Sequence, residues 1–225
     1  MRRTLRSLAF GGLVPLVMVA GCSPPEFPGR TSASPSSAGG FPCPPVDRSA
    51  STSSPPPVES GRVKIGRVSY PVAPAPYSPP SGTVYMAFAS HSAGQSAVVE
   101  QATNSSIGWN SVVALARLSS VDGAWGAQQA AEVIGQCSLS MTWLGIDYHP
   151  RPRRDEPITV DGHPGWIRVT DLSFAVPGIR ATREVQTVVT LDAGGETYAY
   201  LSYLPDTADQ LKASLDATRE GLRVD

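Results

Sequence analysis

The amino-acid sequence predicts an α+β domain, a mainly antiparallel sheet with two helices packed on one face, preceded by a leader and a disordered Pro/Ser-rich stretch. Three observations predict it. Short runs alternating apolar and polar residues are separated by Asp-Gly and Gly-Gly turn signals. Two segments carry apolar residues at i, i+3, i+4 and i+7. The 22 prolines of the 225-residue chain crowd its N-terminal third. Two helices and a hairpin-built sheet make a two-layer domain.

The elements follow in order. Arg62 to Tyr70 alternates and is expected as one strand. Thr83 to Ala89 is expected as a second, and Ser96–Gln101 and Ser111–Leu118 follow. The Pro-rich run 71–80 is expected as loop, because proline has no backbone donor. Asp122 is a suitable N-cap for a helix whose face carries Ala127, Ala130, Ala131, Ile134, Cys137 and Met141. His149-Pro-Arg-Pro-Arg-Arg-Asp155 is expected as a loop. Ile158–Val160 and Trp166–Thr170 flank Asp161-Gly162 as a hairpin. Arg183–Leu191 and Thr197–Leu204 form another around Asp192-Ala-Gly-Gly-Glu196. In the closing helix Thr207 and Gln210 fit a capping box, and Ala208, Leu211, Leu215, Thr218 and Leu222 share a stripe. The final Arg-Val-Asp is expected as a short extended end. Residues 61–225 suit one domain in length.

Residues 1–21 read as a signal peptide. Arg2, Arg3 and Arg6 precede an apolar stretch from Leu8 to Ala20, which is too short and too interrupted by Gly11, Gly12 and Pro15 to span a bilayer as a helix. Arg2-Arg3 also fits a twin-arginine signal. The stretch ends in Val19-Ala20-Gly21-Cys22, which resembles the lipobox of bacterial lipoproteins. That resemblance implies cleavage before Cys22 and a lipid on its thiol, with palmitate among the acyl groups. Cleavage would remove three positive charges from a chain at −1, leaving about −4. Burial of acyl methylenes, at about 0.8 kcal/mol each, would then do the anchoring. From Ser23 to Ser60 about half the residues are Pro or Ser, with no hydrophobic period. Such a segment is expected as a semi-extended tether and a candidate for O-glycosylation.

Two cysteines remain, Cys43 and Cys137. An oxidising, exported setting permits a disulfide, and this pair is expected to bridge; two separate thiols are the alternative. A bridge would stabilise by about 4–5 kcal/mol in the chain-entropy picture.

The net charge of −1 and pI of about 6.3 argue against nucleic-acid binding. The sequence has no G-x-S-x-G elbow, H-E-x-x-H, phosphate-binding loop or dinucleotide fingerprint. No catalytic residue, metal or cofactor is therefore expected. His91, His149 and His163 lack ligand spacing and read as surface residues. Asp122, Asp147, Asp155, Asp161 and Asp171 are scattered along the chain. Arg151, Arg153 and Arg154 form the one basic cluster. It reads either as a contact for a phosphate or anionic polymer or as a solvated loop neutralised by Asp155 and Glu156. Trp109, Trp125, Trp143 and Trp166, with Tyr198, Tyr200 and Tyr203, read as core or as a groove lining. The tyrosines break strict alternation, so at least one is expected to face out.

Val68-Ser-Tyr-Pro71, Ala130-Ala-Glu-Val-Ile-Gly-Gln-Cys137, Val160-Asp-Gly-His-Pro-Gly-Trp166 and Gly221-Leu-Arg-Val-Asp225 resemble a group of uncharacterised actinobacterial, mycobacterial-type lipoproteins. The order of elements is also similar to PsbP-like domains. The resemblance implies a cell-envelope location, attachment to the cell membrane on its extracytoplasmic side, and a non-catalytic binding or scaffolding domain. Its partner would be an envelope protein or ligand. An envelope hydrolase or transferase with an unrecognised site, and an apolar-ligand carrier, are the alternatives.

Overall fold

A computed structural model of the chain describes Cys43 and residues 58–82, 84, 86–102, 108–119, 125–140 and 146–225. The expected signal peptide, Cys22, most of the tether, Asp122, Met141 and Trp143 lie outside the described residues.

The first described strands are β1 (Val58–Glu59), β2 (Arg62–Ile65) and β3 (Val68–Pro71). β1 falls within the stretch expected as tether, yet Val58 pairs with Val63. Arg62–Tyr70, expected as one strand, is a hairpin. The turn falls at Gly66, whose φ of 56° only glycine adopts at no cost, and a methyl group there would sit 2.5 Å from the Tyr198 hydroxyl. β4 (Ala89–Gln101) and β5 (Gly108–Leu118) pair next. Only Ala89 of the expected 83–89 strand belongs to β4, and Ala87 and Phe88 form a turn.

Helix α1 spans Ala127–Ser140 and buries Ala130, Ala131, Val133, Ile134 and Cys137. β6 (His149–Val160) and β7 (His163–Ser173) follow, then β8 (Arg183–Ala193) and β9 (Glu196–Pro205). Both hairpin turns have positive φ at two consecutive residues, Asp161-Gly162 and Gly194-Gly195. This geometry matches the twist of the flanking strands. A 3-10 turn at Asp209–Leu211 leads into α2 (Lys212–Glu220), and β10 (Arg223–Val224) pairs with β3.

The strands form an antiparallel six-stranded sheet, ordered β4-β5-β9-β8-β7-β6, and a four-stranded one, ordered β1-β2-β3-β10. The α+β class and antiparallel sheet agree with the sequence; the placing of the helices does not. Val188 pairs with Leu201 and packs under α1, whereas Val189 pairs with Tyr200, whose hydroxyl meets Thr218 of α2. Neighbouring residues of a strand point to opposite faces, so α1 and α2 lie on opposite faces of the large sheet. The small sheet shares the α2 face, where Val63, Ile65, Val68 and Tyr70 join one core with Val113, Leu115 and Tyr200. The cause is visible in β5 and β8. Val113–Ala116 and Gln186–Leu191 are buried without interruption, so both faces need cover.

Both sheet edges are closed to further strands. The segment after β3 covers β4, with Ser81 and Gly94 exchanging backbone hydrogen bonds and Ser78 donating to Ser96. β6 is the other edge and corresponds to the expected loop 149–155. Pro150, Pro152 and Pro157 pair opposite Leu172, Thr170 and Trp166. Having no N–H to give β7, these prolines sit with their ring nitrogens outward, which an edge strand tolerates.

Candidate functional site

Helix α2 covers only part of its sheet face. Its stripe of Leu211, Leu215 and Thr218 is buried over β9. Beyond it the strip formed by Ile158, Val160, Val169, Val185 and Leu204 is half-buried and open to one side. Two concavities lie along this strip and share Arg154 and Arg219. The one near the start of α2 has a volume of about 380 Å³, with Val169, Val185 and Leu204 as apolar floor and the Thr187 and Ser202 hydroxyls as its polar groups. The one near the end of α2, about 360 Å³, is floored by Ile158, Ile167 and Val189. An apolar floor with a few polar groups is the usual composition of a binding pocket, and each volume is within the usual range.

Charge is concentrated on the walls. Arg153 and Arg154 stand on the β6 side, and Lys212, Arg219 and Arg223 on the α2 side, against Asp161, Asp216 and Glu220. Most of these cations have partners. Arg153 meets Asp171 at 3.2 Å, Arg154 meets Glu156 at 2.7 Å, and Arg219 meets Asp216 at 3.1 Å. The pairs of Arg153 and Arg154 are largely exposed, and such pairs contribute at most about 1 kcal/mol and exchange readily, whereas Arg219 and Asp216 are half-buried.

The cluster read from sequence thus reaches the groove through a feature sequence does not announce. The β6–β7 register shifts between Pro152 and Arg154. This bulge lets consecutive residues reach one face, and Arg153 and Arg154 both line the groove. Arg151 pairs opposite Asp171 on the same face and is exposed. The α2 contribution went unread. Lys212, Asp216 and Arg219 recur at i, i+4 and i+7 beside the apolar stripe, and that spacing was its only signal.

The other candidates fall elsewhere. Cys43 and Cys137 are joined, their Cα atoms 5.2 Å apart, with Cys43 against the α1 core. His91 lies on β4 and His149 on β6, at opposite edges of the sheet, and His163 opens β7. Asp155 accepts the Trp166 indole N–H at 2.5 Å and pairs with Arg168, on the face away from the groove. Asp171 lies on the groove face and Asp161 in a turn. Trp109 stacks on Phe174 and Trp125 meets Phe88 edge-on. Tyr198 and Tyr200 are buried on the α2 face. Tyr203 turns to the other face, as the broken alternation predicts, but meets Gln186 beneath α1 rather than solvent.

Two further ionisable clusters stand out. At the end of the large sheet Glu184 is 5% exposed beside Tyr148 and Trp109. Burial pushes its carboxyl up to about 7; the Tyr148 hydroxyl, and more remotely the Trp109 indole N–H, which has no close partner, oppose this, and Asp206 adds to it. Near the Gly66 turn, Arg117 bridges Glu196 and His91 Nδ1, and the Tyr198 hydroxyl donates to Glu196. That hydrogen bond, with burial opposing and Arg117 assisting, holds the Glu196 carboxyl below its ordinary value. These charges answer one another.

Among the described residues no helix is long and apolar enough to cross a membrane, and no group of three or more His, Cys, Asp or Glu residues could hold a metal ion. Compared with known proteins, the sequence matches no family model and no curated protein.

Proposed function

We propose that this chain is a membrane-anchored cell-envelope lipoprotein, lipidated on Cys22 on the extracytoplasmic side, whose α+β domain binds an envelope partner without catalysis. The observation that carries the binding reading is the groove beside α2, with its half-buried apolar floor and charged walls. The anchor rests on Val19-Ala20-Gly21-Cys22 behind a basic and apolar leader. The actinobacterial and PsbP-like resemblance supports the same reading. A hydrolase or transferase fits the geometry less well, because the histidines and aspartates are distributed over separate edges and faces.

Two measurements test this reading. Cells fed an alkyne-tagged palmitate should label the chain, and Cys22→Ser should abolish the label; a labelled variant ends the anchor reading. Photo-crosslinkers placed at Val169 and at Val98, an exposed residue on β4, should differ in live cells. Only the Val169 position should give a discrete adduct. Equal adducts, or none, would overturn the groove as the binding site.

A further inference from the structure

We infer that residues 146–148 form a proton-operated flap, shut over the small aromatic core at the end of the large sheet while Glu184 holds its proton and released when Glu184 ionises. The device shares no residue with the groove and stands apart from its reading as a binding site.

The carboxyl of Glu184 is buried without a counter-ion. Ala102, Trp109, Phe174, Ile179 and Ala181 form a core separate from the two on the faces of the large sheet. Trp109 stacks on Phe174 with ring centroids 4.6 Å apart, and Tyr148 meets Phe174 edge-on at 5.5 Å. Glu184 is faced by Tyr148 ahead of β6, Trp109 on β5, Tyr203 on β9 and Asp206 beyond it, and β7 sets Leu172 opposite it. None of these is a cation, and Asp206 is a like charge. The cations nearest in sequence are taken, Arg180 by Glu100 and Arg183 by Asp206. Asp147 and His149, on either side of Tyr148, are exposed and pair with each other at 3.7 Å. Residues 103–107 and 141–145, which adjoin this region in sequence, contain no ionisable side chain. Burial therefore penalises the anion, and the Tyr148 hydroxyl and Trp109 indole N–H do not offset it.

The cover is weakest at residues 146–148. Residues 174–182, on the other side, are tied down: Glu100 accepts the Arg180 and Ala181 N–H groups, Asp206 accepts that of Thr182, and the Phe174 N–H donates to the Thr182 carbonyl. Trp109 is held in β5. Ile146 and Tyr148 are only half-buried and hold through their side chains, Tyr148 by its ring on Phe174 and its hydroxyl on Glu184. An ionised Glu184 needs water, and lifting this short segment admits it at the least loss of contact. A carboxyl at about 7 when covered and about 4.5 when hydrated makes opening up to about fiftyfold more frequent at pH 7.5 than at pH 5.

The test is native-state hydrogen exchange on residues 22–225 with Cys22→Ser, isotope-labelled. The Trp109 indole N–H, which is buried and has no close partner, reports the flap once the intrinsic pH dependence of exchange is divided out. It should open more often than the Val188 and Val189 amides in the middle of the sheet. Its opening should respond little to low urea, because little surface is exposed, and should rise by up to about fiftyfold from pH 5 to pH 7.5. The Phe174 amide should stay protected with the sheet. E184Q, neutral at every pH, should remove the pH dependence. In the unsubstituted protein the Glu184 carboxyl-carbon shift should titrate over the same range as the opening, so the link to this proton does not hang on the variant's folding. If the indole exchanges only together with Val188 and Val189 and with their urea dependence, the opening is global and there is no flap. If the Phe174 amide opens with the indole, the moving part is the 174–182 loop and the assignment falls. Opening indifferent to pH, or a pH dependence that survives E184Q, overturns the role of the proton.

Discussion

The Thr207 hydroxyl donates a 2.5 Å hydrogen bond to Glu100 Oε1, joining residues 107 positions apart. The same carboxylate accepts the Arg180 and Ala181 backbone N–H groups at 2.7 and 3.1 Å. Glu100 is 8% exposed, so it holds the end of β4, the 180–181 loop and the approach to α2 together.

Removing that acceptor should be costly. E100A leaves the Ala181 N–H and the Thr207 hydroxyl without their acceptor, and should lower stability by about 3 kcal/mol in urea unfolding. T207V should cost about 1 kcal/mol. Burial pushes the Glu100 carboxyl up, but Thr207, the two N–H groups and Arg180 outweigh it and hold the carboxyl below its ordinary value. A carboxyl depressed in the fold contributes stability above its unfolded pKa, and this is lost as pH falls through the folded one. T207V should therefore soften the acid limb of the stability profile.

Glu184 should act in the opposite sense. Its folded carboxyl sits at about 7 against an ordinary 4.5. The unfolded chain releases this proton first, so stability should fall as pH rises from about 4.5 to about 7 and then level off. The drop is on the order of 3 kcal/mol. E184Q should flatten that limb in denaturant titrations at pH 5, 6 and 7.5. An unchanged slope would show that Glu184 ionises freely in the fold.

The bond between Cys43 and Cys137 closes a loop over a separation of 94 residues. Reduction, or Cys137→Ser, should cost about 4–5 kcal/mol in the chain-entropy picture. With Cys22→Ser, unreduced protein should show no reactive thiol in a denaturing titration. Two thiols per chain would establish the separate-thiol alternative.

The prolines of β6 should act as edge guards. P152T with P157T restores outward backbone donors on an exposed edge, which is a template for pairing with another chain. Sedimentation velocity should show new dimers or larger species, while stability changes little. A monomeric variant would show that the bulge and charges suffice.

Turns and stripes were the legible part of this fold. Asp161-Gly162 and Gly194-Gly195 declare their hairpins through local chemistry, and Leu211, Leu215, Thr218 and Leu222 declare a buried helical face. Elsewhere distant partners decided. Thr207 looks like the start of a capping box but is taken by Glu100, and α2 begins only at Lys212. Pro150 and Pro152 read as loop because a strand with one free edge looks the same locally. The buried runs in β5 and β8 did signal a sheet covered on both faces, and the expectation of two helices on one face passed over it. Of the groove, Arg153 and Arg154 could be picked out by composition. The bulge that aims them and the wall opposite depend on which strands pair.

The Cys43–Cys137 bond also fixes how the molecule carries mechanical load. A pull on the chain ahead of Cys43 is delivered through sulfur to the middle of α1. Strands β1 to β5, all within the closed loop, are bypassed. If the chain is anchored at Cys22 as proposed, tension would be borne by a helix packed across β7, β8 and β9, on the face away from the groove, and a partner held in the groove would not lie in its path.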